Sequence, residues 1–75
     1  MGNLPVISGR EARRAFERAG WRFDRQSGSH MILEKPGTPG LLSIPDHREL
    51  KTGLLRGLIR DAGLNVDEFL ELLRR

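Results

Sequence analysis

The residues with most chemistry to offer lie at one point in the chain, Gln26-Ser27-Gly28-Ser29-His30, which runs into the apolar stretch Met31-Ile32-Leu33. A Gly-containing turn there delivers a histidine to the head of a short β-strand. Imidazole titrates near pH 6.5 in water, so a side chain held this way can give or take a proton near neutrality. That suits general acid–base catalysis. A surface strand histidine with no chemical role fits the same stretch. The reaction that asks for least further equipment is cleavage of an RNA phosphodiester by its own 2′-hydroxyl. The substrate then carries the nucleophile, and the protein positions it, moves a proton and stabilises the charged phosphorane. Backbone N–H groups of the turn, and Arg25 just before it, are placed to hold a phosphate oxygen; a solvated Arg25 is the alternative. One histidine without a clear partner implies a slow nuclease, since a single proton-transfer group contributes on the order of 10²–10⁴-fold.

The second histidine, His47, follows Pro45 in a polar connection. Three roles stay open for it: a second acid–base group, a hydrogen bond that fixes the loop, or none. With two histidines and no cysteine, neither a disulfide framework nor a thiolate zinc site is available. Asp46 and Glu49 do not read as a metal pair, and no metal or other cofactor is expected.

Seventy-five residues give one domain, expected to span 1–75, with a core small enough that a binding partner would add useful stability. No apolar run approaches the roughly 18 residues of a membrane span, and the start lacks a secretory pattern, so a cytoplasmic protein is expected. The net charge of +3 is modest, but the cations are nearly all arginine, whose planar fork matches phosphate and equally the carboxylates of an acidic partner. Trp21 and three phenylalanines are too few for a row of base-stacking platforms.

The elements that must position His30 follow from periodicity. Met1 to Ile7, interrupted by Pro5, reads as an extended arm. Ser8-Gly9-Arg10-Glu11 fits a capping box, and Ala12, Ala15, Phe16 and Ala19 share one helical face, so a helix is expected over Gly9–Ala19 with Gly20 as its left-handed cap. Arg10, Arg13, Arg14 and Arg18 fill much of the rest of that helix, either as a solvated face laced to Glu11 and Glu17 or as a phosphate-binding surface. Trp21 to Arg25 alternates as a first strand, with Trp21 and Phe23 facing the core. Ser29–Lys35 is the second strand, with Met31 and Leu33 on the helix-covered face and His30 on the open one. Pro36–Gly40 is a hairpin loop and Leu41–Ile44 a third strand closed by Pro45. After the polar connection 46–53, Leu54, Leu55, Leu58, Ile59 and Ala62 mark a second helix. Asn65 caps a third, with Val66, Phe69, Leu70 and Leu73 buried. The order α-β-β-β-α-α gives an α+β fold, a three-stranded antiparallel meander with helices on one face.

Taken together, several of these segments resemble the HicA family of bacterial toxins. They are Ser8-Gly9-Arg10-Glu11, Gly28-Ser29-His30, Ile44-Pro45-Asp46-His47, the run Glu49 to Arg56, Ala62-Gly63-Leu64 and Val66 to Leu70. The resemblance covers about Ile7 to Leu73 and rests on the ordered set rather than on any one tripeptide. It implies a fold similar to a double-stranded-RNA-binding domain, an mRNA-cleaving ribonuclease, and a HicB-like antitoxin as partner. The family's catalytic histidine falls on His30. RNA contacts are then expected from Arg25, Ser27, Gly28, Ser29 and Lys51, with His47 as second acid–base or loop-fixing residue. The chain departs from the family in Leu54, where a threonine is usual, and in the Pro36–Gly40 segment, where a plainer turn is common. Two other functions fit the same residues: a module that grips an RNA duplex by shape and phosphate without cutting it, and a protein-interaction domain whose arginines meet an acidic partner.

Overall fold

A helix capped at its N-terminus opens the fold of this protein. The structure, a computed structural model, describes residues 3–75; Met1 and Gly2 of the expected arm lie outside them. Helix α1 spans Gly9–Arg18. The Ser8 hydroxyl accepts from the Glu11 N–H at 3.1 Å and the Glu11 carboxylate accepts from the Ser8 N–H at 3.0 Å, so the capping box is complete. Ala19 is the C-cap and Gly20 turns the chain at φ +100°, a region open to glycine.

Strands β1 (Arg22–Ser27), β2 (His30–Lys35) and β3 (Thr38–Pro45) form one antiparallel sheet in the order β1-β2-β3. Helices α2 (Thr52–Asp61) and α3 (Val66–Arg74) follow. The sequence-derived order and the one-sided helical layer are both observed. Met31, Leu33, Leu42 and Ile44 of the sheet meet Ala12, Ala15, Phe16, Leu55, Leu58, Ile59, Phe69 and Leu72 of the helices in one core cluster. Phe16 and Phe69 pack with ring centroids 5.1 Å apart, tying α1 to α3 at its centre. Arg18 adds a second tie: its guanidinium donates at 2.8 Å to the Leu72 carbonyl in the last turn of α3, whose main-chain partner is the Arg75 N–H at 3.4 Å.

Four local expectations give way. The first strand begins after Trp21, which is buried, and Phe23 is 38% exposed rather than in the core. Gly20 bends the chain, and the Trp21 N–H bond to the Phe16 carbonyl (3.1 Å) anchors the Trp21 backbone to the end of α1 ahead of the strand. A register shift between Phe23 and Arg25 then breaks the alternation. Pro36–Gly40 is a tighter turn than expected. Lys35 pairs with Thr38 around Pro36-Gly37, with Pro fixing its own φ and Gly37 at φ +78°, so β3 starts at Thr38 rather than Leu41. Leu50, inside the supposedly polar connection, is buried and its N–H bonds the Ile7 carbonyl at 2.8 Å, while Leu54 is 43% exposed. On α3 the fully inward positions are Phe69 and Leu72, with Val66, Leu70 and Leu73 half-buried. Separately, Ile32 is 8% exposed on the open face; it lies outside the core cluster, in the central strand between Arg25 and Ser43.

Candidate functional site

His30 is the first residue of the central strand, paired on one side with Ser27 and on the other with Pro45. It is therefore braced from both flanks while its side chain is exposed. The turn that delivers it is two residues long. Gly28 has φ +58° and Ser29 has no positive φ, the pattern of the type II′ hairpin turn that puts glycine at the first central position. Ser27, Gly28 and Ser29 are all exposed around His30. The Gln26 amide donates to the Gly28 carbonyl at 3.2 Å and steadies the turn.

The other side of His30 is fixed by the segment after β3. The Asp46 N–H donates to the Ser29 carbonyl at 2.7 Å, carrying the β2–β3 pairing one step past Pro45. The Asp46 carboxylate accepts from two nitrogens of Arg10, at 3.2 and 3.4 Å, and this two-point contact joins the loop to α1. The Arg10 guanidinium is held further in its charged form by that hydrogen bond and by the charge of Asp46. One residue on, the His47 carbonyl accepts from the Gly9 N–H at 2.9 Å. That bond holds the loop to α1 through the backbone; the His47 side chain is exposed and makes no hydrogen bond among the described residues. Gly9 is required for this approach, because a Cβ there would stand 1.9 Å from the Pro45 carbonyl oxygen.

The remaining expected site residues are not all brought to one place. Arg25 is exposed, is paired with its neighbour Asp24, and faces Ile32 across the β1–β2 ladder. Lys51 is the N-cap of α2, exposed and without a side-chain cap bond. Among the described residues no three His, Asp or Glu side chains converge as metal ligands would.

One feature escaped sequence reasoning. A cleft of about 310 Å³ lies between α1 and the β1–β2 hairpin, lined by Arg10, Arg13, Arg14 and Glu17 of α1, with Gln26, Met31 and Asp46. Arg13 is held there by three contacts: its Nε donates to Glu17 at 3.4 Å, its Nη1 lies 3.8 Å from the Met31 sulfur, and its guanidinium carbon sits 4.0 Å from the centre of the Phe23 ring. The available signal was the hairpin register, which pairs Gln26 with Met31 once a two-residue turn is placed at Gly28-Ser29. The 36-residue jump from Arg10 to Asp46 left no local signal.

The geometry is that of a small sheet presenting one exposed histidine on a braced backbone, with no helix among the described residues long and apolar enough to cross a membrane. No curated protein matches the chain. The sequence profile described as the HicA toxin of bacterial toxin–antitoxin systems matches residues 9–64, from the first residue of α1 through the α2–α3 connection. The match covers well over half of the 75 residues and includes His30 with everything that braces it, and the chain belongs to the HicA toxin family.

Proposed function

We propose that this toxin is an endoribonuclease that cleaves mRNA, with His30 moving the proton and the RNA's own 2′-hydroxyl as nucleophile. The observation that carries the reading is the placement of His30: exposed at the head of the central strand, yet paired to Ser27 and Pro45 on its two sides. A module that only grips RNA has no need of an imidazole carried on so firmly paired a backbone. A proton-transfer group does, because its benefit depends on orientation. Ser27, Gly28 and Ser29 offer backbone and hydroxyl donors to a phosphate oxygen at the same turn, and Arg25 and Lys51 extend the basic surface. His47 serves by its carbonyl, which holds the loop to α1.

The step needs no metal in this reading. The 2′-oxygen attacks the adjacent phosphorus as His30 takes its proton, the bond from phosphorus to the 5′-oxygen of the next nucleotide breaks, and that oxygen takes a proton from solvent, to which His30 returns the one it took. The products are a 2′,3′-cyclic phosphate and a 5′-hydroxyl. A HicB-like antitoxin silences the toxin by covering His30 and the basic surface around it, with carboxylates meeting arginines. The test uses an RNA with a single deoxyribose 5′ to the cut, with EDTA present throughout. Full cleavage of the all-ribose RNA in EDTA and none at the deoxy position is expected. Cleavage at the deoxy position, or activity that EDTA abolishes and Mg²⁺ restores, would replace this mechanism with a metal-bound water.

A further inference from the structure

We infer that the cleft between α1 and the β1–β2 hairpin holds a backbone phosphate of the RNA, next along the strand from the one that is cut, with Arg13 and Arg14 as its cationic donors. The inference rests on the ribonuclease reading above and adds to it a second binding point, on the other face of the sheet from His30.

Four observations carry it. The cleft is lined by three guanidiniums and two carboxylates, so it is cationic even with both acids ionised. Both acids are already engaged, Asp46 by Arg10 and Glu17 by Arg13, and Arg14 makes no ion pair among the described residues. Arg13 is pre-set by Glu17, Met31 and Phe23, so a ligand meets a guanidinium whose side-chain freedom is already restricted. The position is also apt. Gln26 and Met31, which line the cleft, are the residues immediately outside the Ser27–His30 pair, so the cleft ends where the His30 turn begins. A strand passing round this end of the sheet meets the cleft and then His30.

The fourth arginine of α1 shows that the grouping is not simply helical periodicity. Arg18 is turned to the Leu72 carbonyl and serves the α1–α3 contact instead. Arg10 is occupied by Asp46, which leaves Arg14 as the free donor and Arg13 as the fixed one. A concave site with two forked donors and a neutral amide at its wall suits the tetrahedral oxygens of a phosphodiester. An acidic face of the antitoxin is the competing occupant, and the experiment separates the two.

The experiment measures binding and cleavage of a fluorescein-labelled single-stranded RNA by the full chain and by Arg14→Ala, Arg14→Glu and, as a control of equal charge change, Arg60→Glu. Arg60 is exposed near the end of α2, outside the cleft. Binding is read with the His30→Ala protein as background, so that no RNA is lost during titration. Arg14→Ala should weaken binding about tenfold, the size of one lost charge-assisted contact, and Arg14→Glu more. The slope of log K against log salt should fall by about 0.7, one phosphate's worth for a single strand. In the cleaving protein KM should rise while kcat holds, because Arg14 does not touch the reacting atoms. Thermal midpoints should stay level for both Arg14 variants, since the side chain is exposed.

If Arg14→Glu and Arg60→Glu weaken binding equally, the cleft is not a phosphate site, and the ribonuclease reading survives. The inference also falls if Arg14→Glu spares RNA and instead breaks the complex with a HicB-like antitoxin. If the unaltered chain neither binds nor cuts RNA, the ribonuclease reading fails and takes this inference with it.

Discussion

Substituting Gly9 by alanine tests how the helix is coupled to the site. In most helices this change stabilises, because glycine is about 1 kcal/mol worse than alanine in a helix interior. Here the added Cβ would lie 1.9 Å from the Pro45 carbonyl oxygen and 3.0 Å from its carbon, both backbone atoms. To reach even 3.0 Å from the oxygen, α1 and the end of β3 must separate by at least 1.1 Å, the gap between those two distances. Backbone cannot yield as a flexible side chain does, so the cost sits at the upper end of the overpacking range, about 3 kcal/mol. Set against a propensity gain of at most about 1 kcal/mol, the net is about 2 kcal/mol of destabilisation, or roughly 8–16 °C in Tm for a domain of this size. Gly57→Ala is the matched control. It lies inside α2, where the nearest atom to an added Cβ is the tip of Arg60 at 3.8 Å, and it should stabilise by up to about 1 kcal/mol. Urea unfolding of the two variants measures both signs. Pro45 is also the strand partner of His30, so Gly9→Ala should lower kcat more than its lost stability accounts for, as a misplacement of about 1 Å can cost 10²-fold. A Gly9→Ala protein as stable and as active as the parent would refute the close approach and the coupling drawn from it.

Leu72→Ala should cost about 2–5 kcal/mol by urea unfolding, since Leu72 is buried in the core cluster. Arg18→Ala should cost about 1 kcal/mol through its bond to the Leu72 carbonyl, and hydrogen exchange should quicken at the end of α3. The Glu11 carboxyl is held below its ordinary value by the Ser8 N–H first and then by the Ser8 hydroxyl. A depressed carboxyl stabilises above its unfolded value and loses that contribution as pH falls through the folded one. Stability should therefore drop as pH falls below about 4.5, and Glu11→Gln should flatten that part of the curve; an unchanged slope in Glu11→Gln would remove this carboxyl as its source.

Much of this frame is legible in the sequence because its signals are local. Ser8 with Glu11 is a reciprocal cap within three residues and Asn65 an N-cap, and both form as read, Glu68 closing the second into a reciprocal pair. The sheet order follows from short connections, and His30 sits at the head of β2 because Gly28 permits the turn. What was hidden depends on contacts across the chain. Phe23 has the alternation of a core residue, but the bend at Gly20 hands the core position to Trp21 and leaves Phe23 beneath Arg13. Leu50 sits among polar neighbours and is buried by Ile7, more than 40 positions away. Asp46, which the sequence offers only as a poor metal ligand, instead ties the loop beside His30 to α1 through Arg10. The bracing of the candidate site is thus the least local part of the structure and the least legible.

The most direct test of the central claim is RNA cleavage by His30→Ala, measured beside its thermal midpoint. His30 is exposed, and its brace is made by backbone, so the variant should melt within a degree or two of the parent. It should still bind RNA, and cleavage and growth arrest should both vanish. A folded His30→Ala protein that cuts RNA at the parent's rate would contradict the account, and the exposed side chain of His47 would become the group to examine.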